Sequence, residues 1–215
     1  EFEQAVRLLF GAPLGAKGRR DARCVCAGAP RLSTLPSDHV LCCRDLRAAT
    51  TARHDVVVNA VVRAVQEVGV TARWKPRFES GDAMGRVEIP DLEVSGADVC
   101  ALVDVSVVHS SSVSVSDRID AAVAERVAAK RAKYDRAVAM AGATDKVAFV
   151  VEDHWALSAD ADSFLNRMAR LGSDYTERPV YNVRDRMADV VAIAVQRGNA
   201  RLVDRVGQLT GRAEL

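Results

Sequence analysis

The ten residues VCALVDVSVV at 99–108 constrain the fold most. Apart from Cys100, Asp104 and Ser106 they are Val, Leu and Ala. A β-branched run of this length reads as a central strand covered on both faces. Covered faces require helices, so the chain is expected to be an α/β protein. Within the strand Asp104 is out of place. Burying a carboxylate beside valines is costly unless a partner offsets it. The period-two alternation puts Asp104 and Ser106 on one face, opposite Val103, Val105 and Val107. A second carboxylate, Asp91, stands thirteen positions earlier, directly after Pro90.

The rest of the chain fits around this strand. Residues 3–10 predict a short helix, and 11–50 are rich in Gly, Pro, Arg and Cys with little periodicity. RHDVVVNAVVRAVQEV, 53–68, carries valines at 57, 58, 61, 62, 65 and 68, a helical spacing that Gly69 ends. Strands are expected at 70–78, ending near Pro76, and at 86–94. After the polar connection HSSSVSVSDR, with Ser114 or Ser116 as cap, a helix is expected over 117–141, stopped by Gly142. KVAFVVE, 146–152, is a further buried strand, and helices follow at 159–171, 183–196 and 198–209. The order strand, long helix, strand is a βαβ-like unit. His154-Trp155, after that last strand, is expected either to rim the site or to plug the core. Three parts follow: an amino-terminal arm (1–50), a core (51–175) and a carboxy-terminal helical extension packed on it (176–215).

Two neighbouring strands that each offer a carboxylate on one face make a divalent-metal site. Mg²⁺ or Mn²⁺ takes oxygen ligands and keeps waters. Such an ion activates water for attack on a phosphodiester and stabilises charge on the phosphate. A basic group is needed beside it. Lys130 and Lys133, three apart in AERVAAKRAKY, are the candidates. On the first helix, Asp55 either caps the helix or faces the carboxylates with His54, and Glu67 is a further acid. His109, just past the central strand, is placed to touch phosphate.

Four of the five cysteines lie in the arm: Cys24, Cys26, Cys42 and Cys43. Thiolates and imidazole are ligands zinc prefers, usually four in a tetrahedron. Cys24, Cys26, His39 and one of Cys42 or Cys43 supply such a set, and zinc would give folding energy to a segment with little core. Cys100 is expected in the core.

Lys plus Arg number 30 and Asp plus Glu 29, so the net charge is near neutral. Arginines nevertheless cluster at 18–23, 44–53 and 126–136, where Arg53 and Arg131 are placed to face a phosphate backbone. No apolar run reaches the ~18 residues of a membrane span. EFEQAVRLLFGAP lacks the pattern of a signal peptide, and without an initiator Met the chain reads as a piece of something longer. A reducing compartment is expected.

Taken together, Cys24-Val25-Cys26, His39 to Cys43, Arg53-His54-Asp55, Pro90-Asp91, Asp104-Val105-Ser106-Val107 and Lys130-Arg131-Ala132-Lys133-Tyr134 form an ordered pattern. It resembles the restriction-like endonuclease domain that follows reverse transcriptase in site-specific non-LTR retrotransposons, and its relatives in retroelement-derived open reading frames. That domain belongs to the PD-(D/E)XK nuclease superfamily. The resemblance covers about residues 22–170. It implies a restriction-endonuclease-like core, a mixed sheet flanked by helices, preceded by a small zinc element in which Cys43 is the fourth ligand. It implies Asp91 and Asp104 as ligands of Mg²⁺ or Mn²⁺, and Arg53 and His54 as groups that locate the scissile strand. Double-stranded DNA in the nucleus, element RNA and an upstream reverse transcriptase are the implied partners. A nick would expose a 3′ hydroxyl that primes reverse transcription. Ser106 departs from the superfamily, which usually has lysine there. Nucleases of this group often take that lysine from the following helix, which points to Lys130 or Lys133.

Overall fold

A computed structural model describes residue 26 and residues 39–79, 87–96, 98–109, 119–133 and 135–210. The order is α1 (His39–Cys42), a 3-10 turn (Arg44–Leu46), α2 (Arg47–Glu67), β1 (Thr71–Trp74), β2 (Phe78–Glu79), β3 (Val87–Glu88), β4 (Leu92–Gly96), β5 (Val99–Val108), α3 (Ile119–Lys133), α4 (Asp135–Ala141), β6 (Asp145–Glu152), α5 (Ala159–Thr176) and α6 (Val180–Thr210). The expected helix at 3–10 and the expected cap, Ser114 or Ser116, lie outside the described residues, as does Cys24.

The main sheet has the order β1-β4-β5-β6. β1, β4 and β5 pair antiparallel, while β5 and β6 run parallel. The protein is therefore α/β with a mixed four-stranded sheet flanked by helices. Parallel pairing requires a crossover, and α3 and α4 occupy it. β5 is central, and 101–106 are buried without a break. Leu92, Val94, Val103, Val105, Phe149 and Val151 pack with α2, α5 and α6 in the main core, where Phe149 and Phe164 meet edge to face at 6.0 Å. The other face of β5 carries Leu102, Asp104 and Ser106. Leu102 packs with Phe78 and Ala137 in a smaller cluster.

Several expected elements are cut differently. The strand at 70–78 stops at Trp74, because Lys75 turns left-handed at φ 43°. Phe78–Glu79 then pairs with Val87–Glu88 in a separate two-stranded ribbon. Pro90, lacking an N–H, separates that ribbon from β4, so the 86–94 strand is really two. α2 begins six residues earlier than expected, so Asp55 sits inside the helix and caps nothing. The boundary drawn at residue 50 falls within it. Gly69 and Gly142 end their helices at φ 77° and 60°, the left-handed conformation glycine adopts without strain. The helices expected at 183–196 and 198–209 are one, α6. Gly198 marks no break there. A Cβ on it would lie 2.8 Å from Cγ of Arg53, so it leaves room for a side chain from α2. α6 gives Val183, Met187, Val191, Ala194 and Val195 to the main core. Farther along, its Leu202 and Val203 join Val40, Cys43 and Leu46 in a second cluster. Among the described residues no helix is long and apolar enough to cross a membrane.

Candidate carboxylate, lysine and metal sites

The antiparallel register decides how the two aspartates meet. Its last partner pair is Leu92–Val103, and one further step along the same register brings Asp91 opposite Asp104. Both are buried, at 8% and 5% exposure. Asp91 Oδ2 accepts the Val105 backbone N–H at 2.8 Å and lies 3.1 Å from His54 Nε2. The backbone N–H of Lys75 closes the turn onto the Asp91 carbonyl at 2.8 Å. Asp104 pairs with the Lys130 ammonium. Lys130 continues the half-buried line of Val123 and Val127 along α3, the face turned to the sheet. Lys133 lies three residues on and is exposed, so Lys130 is the lysine on the carboxylate.

The sequence does not single out Arg126. Its Nε donates to Ser106 Oγ at 3.1 Å, so a guanidinium from α3 occupies the hydroxyl that stands where a strand lysine was expected. The available signal was spacing, since Arg126 precedes Lys130 by one helical turn.

His54 is surrounded by acceptors. Nε2 lies 3.1 Å from Asp91 and 3.2 Å from the Val105 carbonyl, and Nδ1 lies 3.3 Å from Asp55 Oδ1. With oxygens at both ring nitrogens, the form with two N–H donors is favoured. Burial works against that cation, but the Asp91 and Asp55 carboxylates outweigh it and hold the His54 pKa above its ordinary value. Burial likewise works against ionised Asp91. The His54 contact, the Val105 N–H and the charge of Lys130 together outweigh it and hold its pKa below the usual carboxylate range. Lys130 thus acts on both aspartates. Lys75 Nζ, 3.4 Å from Asp55, completes the cluster.

The second candidate site is separate. Cys26, His39 and Cys43 bring their ligand atoms within 4.8 Å of one another, with Cys26 Sγ 3.5 Å from His39 Nε2. In a zinc tetrahedron, bonds of about 2.3 Å to sulfur and 2.0 Å to nitrogen set that edge at about 3.5 Å. The donor set and spacing fit a metal ion such as zinc, and Cys43 belongs to the group. By contrast, Asp91 and Asp104 are two carboxylates. An ion there would draw its remaining ligands from water or substrate, as Mg²⁺ commonly does.

Other residues expected at the site lie elsewhere. His109 is 4% exposed, with its Nε2 3.0 Å from Asp153 Oδ2. Asp153 also meets His154 Nδ1 at 2.8 Å, and its carbonyl accepts from Gln196 and Asn199. Nothing local in the sequence marks Asp153. Arg53 is buried, donating Nη1 to Asn199 Oδ1 at 3.2 Å. Arg131 grips Asp160 through two bonds of 2.8 and 2.7 Å. Glu67 accepts from Arg186 on the surface. Trp155 is 47% exposed at φ 68°, so it plugs no core. Cys100 is half-buried.

Fold and sites together define a mixed-sheet α/β protein with a buried two-carboxylate cluster faced by a lysine, and a Cys-His-Cys group suited to a metal. No protein-family model matches the chain, and no curated protein matches it.

Proposed function

We propose that the chain is a metal-dependent endonuclease domain with a restriction-endonuclease-like core. The observation that carries the reading is Lys130 set on the buried Asp104 of β5, with buried Asp91 directly before β4 and bonded to the Val105 N–H next to Asp104. Asp91 and Asp104 hold Mg²⁺ or Mn²⁺. When bound, the ion supplies a water acidified enough to attack phosphorus and positive charge against the phosphate. Lys130 holds that water or neutralises charge on the phosphate. His54 fixes the Asp91 carboxylate through Nε2, and Asp55 fixes the ring through Nδ1. Arg126 occupies Ser106 and leaves Lys130 as the amine of the site. The substrate is double-stranded DNA in the nucleus. The nick serves target-primed reverse transcription by an upstream domain of a retroelement polypeptide, acting with the element RNA. A four-ligand zinc element, Cys24 joining Cys26, His39 and Cys43, braces the amino-terminal arm.

A second reading is a silent nuclease-fold module that binds nucleic acid or a protein. One observation favours it: each carboxylate already has a cationic partner, His54 for Asp91 and Lys130 for Asp104. Nicking of supercoiled plasmid with Mg²⁺ or Mn²⁺ separates the two. The nuclease reading expects nicking by the wild type and none by Asp104→Asn with its fold intact. A wild type that cuts nothing with either ion leaves the silent module.

A further inference from the structure

One turn of the chain serves neither site. β6 ends at Glu152, and Asp153, His154 and Trp155 follow it. Trp155 stands at φ 68°. For a bulky side chain that left-handed backbone is strained, and glycine would adopt it freely. The ring gains no core burial in exchange, because it is 47% exposed. A strained tryptophan held out in water points to a partner for its ring.

The turn is braced from beneath. The Asp153 N–H donates to the Val108 carbonyl at 2.9 Å, and the Asp153 carbonyl accepts from Gln196 and Asn199 of α6 at 3.0 and 3.1 Å. The Trp155 N–H closes onto the Glu152 carbonyl at 2.8 Å, and the Glu152 N–H onto the Ala156 carbonyl at 2.8 Å. The buried Asp153 carboxylate lies between two imidazoles, 3.0 Å from His109 Nε2 and 2.8 Å from His154 Nδ1. A carboxylate at Nδ1 favours the proton there and leaves Nε2 of His154 as an acceptor. The His154 side chain is 53% exposed. A platform already fixed in this way loses little freedom when something binds it.

The size of the feature limits what it takes. A tryptophan offers at most about 250 Å², and here about half of it is free. A protein partner needs about 800 Å² on each side. The exposed neighbours of Trp155 in the chain are His154 and Ala156, a polar ring and a methyl. One flat ring with one acceptor beside it matches a single nucleobase, which has a π face and N–H groups on its edge. Val108, the strand residue bonded to Asp153, lies about 13 Å along β5 from Asp104.

We propose that Trp155 stacks an unpaired nucleobase of the bound DNA. The proposal rests on the nucleic-acid reading above and adds to it where a base is held.

Tryptophan emission tests the contact, since the chain has two tryptophans, Trp74 and Trp155. The Trp74→Phe variant leaves Trp155 as the emitter. It is titrated, without added divalent metal, with a single-stranded DNA of about twelve bases and with an abasic sugar–phosphate chain of the same length. Binding is followed in parallel by the anisotropy of a dye on the DNA. Stacking quenches indole emission, so a fall of about half is expected with the first and little change with the second. If Trp74→Phe does not fold, wild-type emission less that of Trp155→Phe gives the same reading. Trp155→Gly removes ring and strain together. It is expected to melt no lower than wild type and to bind the oligonucleotide about tenfold more weakly, a split that a purely structural ring would not give. If Trp155→Gly melts lower, the emission result decides. Bound DNA without quenching, equal quenching by the abasic chain, or a folded Trp155→Gly that binds like wild type overturns the proposal. So does quenching that follows protein concentration instead of DNA, which puts a second copy of the chain on the ring. Plasmid nicking is scored separately. Nicking with no quenching sinks the stacking proposal alone, quenching with no nicking sinks the nuclease reading alone, and a wild type that neither binds nor nicks sinks both.

Discussion

Lys130 reaches from the last turn of α3 to the carboxylate of Asp104 in the middle of β5. Asp104 side-chain exposure is 6% and Lys130 is 14% exposed, so the pair is formed largely out of water. Lysine and aspartate lie on opposite sides of the connection from β5 to α3, and only the folded crossover joins them.

That pairing separates the two lysines. Lys130→Ala is expected to reduce plasmid nicking by about a hundredfold or more, the scale of losing one group aimed at transition-state charge. Lys133→Ala, on an exposed position, is expected to stay within severalfold of wild type. Nicking rates at saturating plasmid check this. Equal losses for both, or a loss at Lys133 alone, would refute it.

Stability should respond in the same place. Lys130→Ala leaves a buried carboxylate without its ammonium, and breaking a buried pair this way costs about 3–5 kcal/mol. Asp104→Asn should cost less, because the amide removes the charge that needed a partner. Urea unfolding of the two variants in EDTA gives the comparison, with Asp104→Asn expected to be the more stable.

The imidazole and its carboxylate also set a pH window in chelator. His54 has a raised folded pKa. Its contribution is therefore complete below its unfolded value and is lost as pH rises through the folded one. Asp91 is lowered. Its contribution is present above its unfolded value and is lost as pH falls through the folded one. Both are in force between about pH 4 and pH 6.5. Stability should fall on either side of that window, and His54→Gln should flatten the alkaline side. A His54→Gln profile that still declines as steeply above pH 6.5 would count against the pair.

For the second site, protein purified without chelator is expected to carry about one zinc per chain. His39→Ala and Cys43→Ser should lose it, and Cys42→Ser should keep it. Elemental analysis decides, and a zinc-free wild type would remove the site. Because Cys43 also packs with Leu202 and Val203 of α6, chelation should lower the melting temperature as well.

Gly172 tests the packing of three helices. It is buried on α5, and a Cβ there would lie 2.4 Å from Cβ of Val68 and 3.3 Å from Val183 of α6. Alanine would favour the helix by about 1 kcal/mol, but overpacking of this kind costs about 1–3 kcal/mol. With the contact on a side chain rooted in the backbone, the clash should win, and Gly172→Ala should melt lower than wild type.

What the sequence disclosed follows from where its signals are local. β5 was visible because burial on both faces leaves an unbroken apolar run. α2 was visible because valine recurs at helical spacing, and Gly69 and Gly142 because left-handed turns select glycine. Asp104 stood out for being charged in an apolar strand. The extent of α6 was hidden, because Gly198 is spaced against Arg53, 145 residues away in the chain. Charge and position alone point Arg131 and His109 toward phosphate, and the resemblance adds Arg53. Their partners Asn199, Asp160 and Asp153 come from other elements, and no spacing on one element foretells them. The choice between Lys130 and Lys133 turned on which face of α3 meets the sheet, and the half-buried Val123 and Val127 settle that.

The placement of Lys130 divides labour between two kinds of element. The sheet fixes Asp104 within β5, and Asp91, one residue before β4, is held beside it by the backbone N–H groups of Lys75 and Val105. The amine rides on a helix held to the rest by side chains, Arg126 to Ser106 and Arg131 to Asp160 among them. A shift of α3 by one residue rotates its faces by about 100° and carries Lys130 off Asp104. The arrangement of charges can therefore be dismantled and rebuilt by sliding one helix while the sheet stays whole.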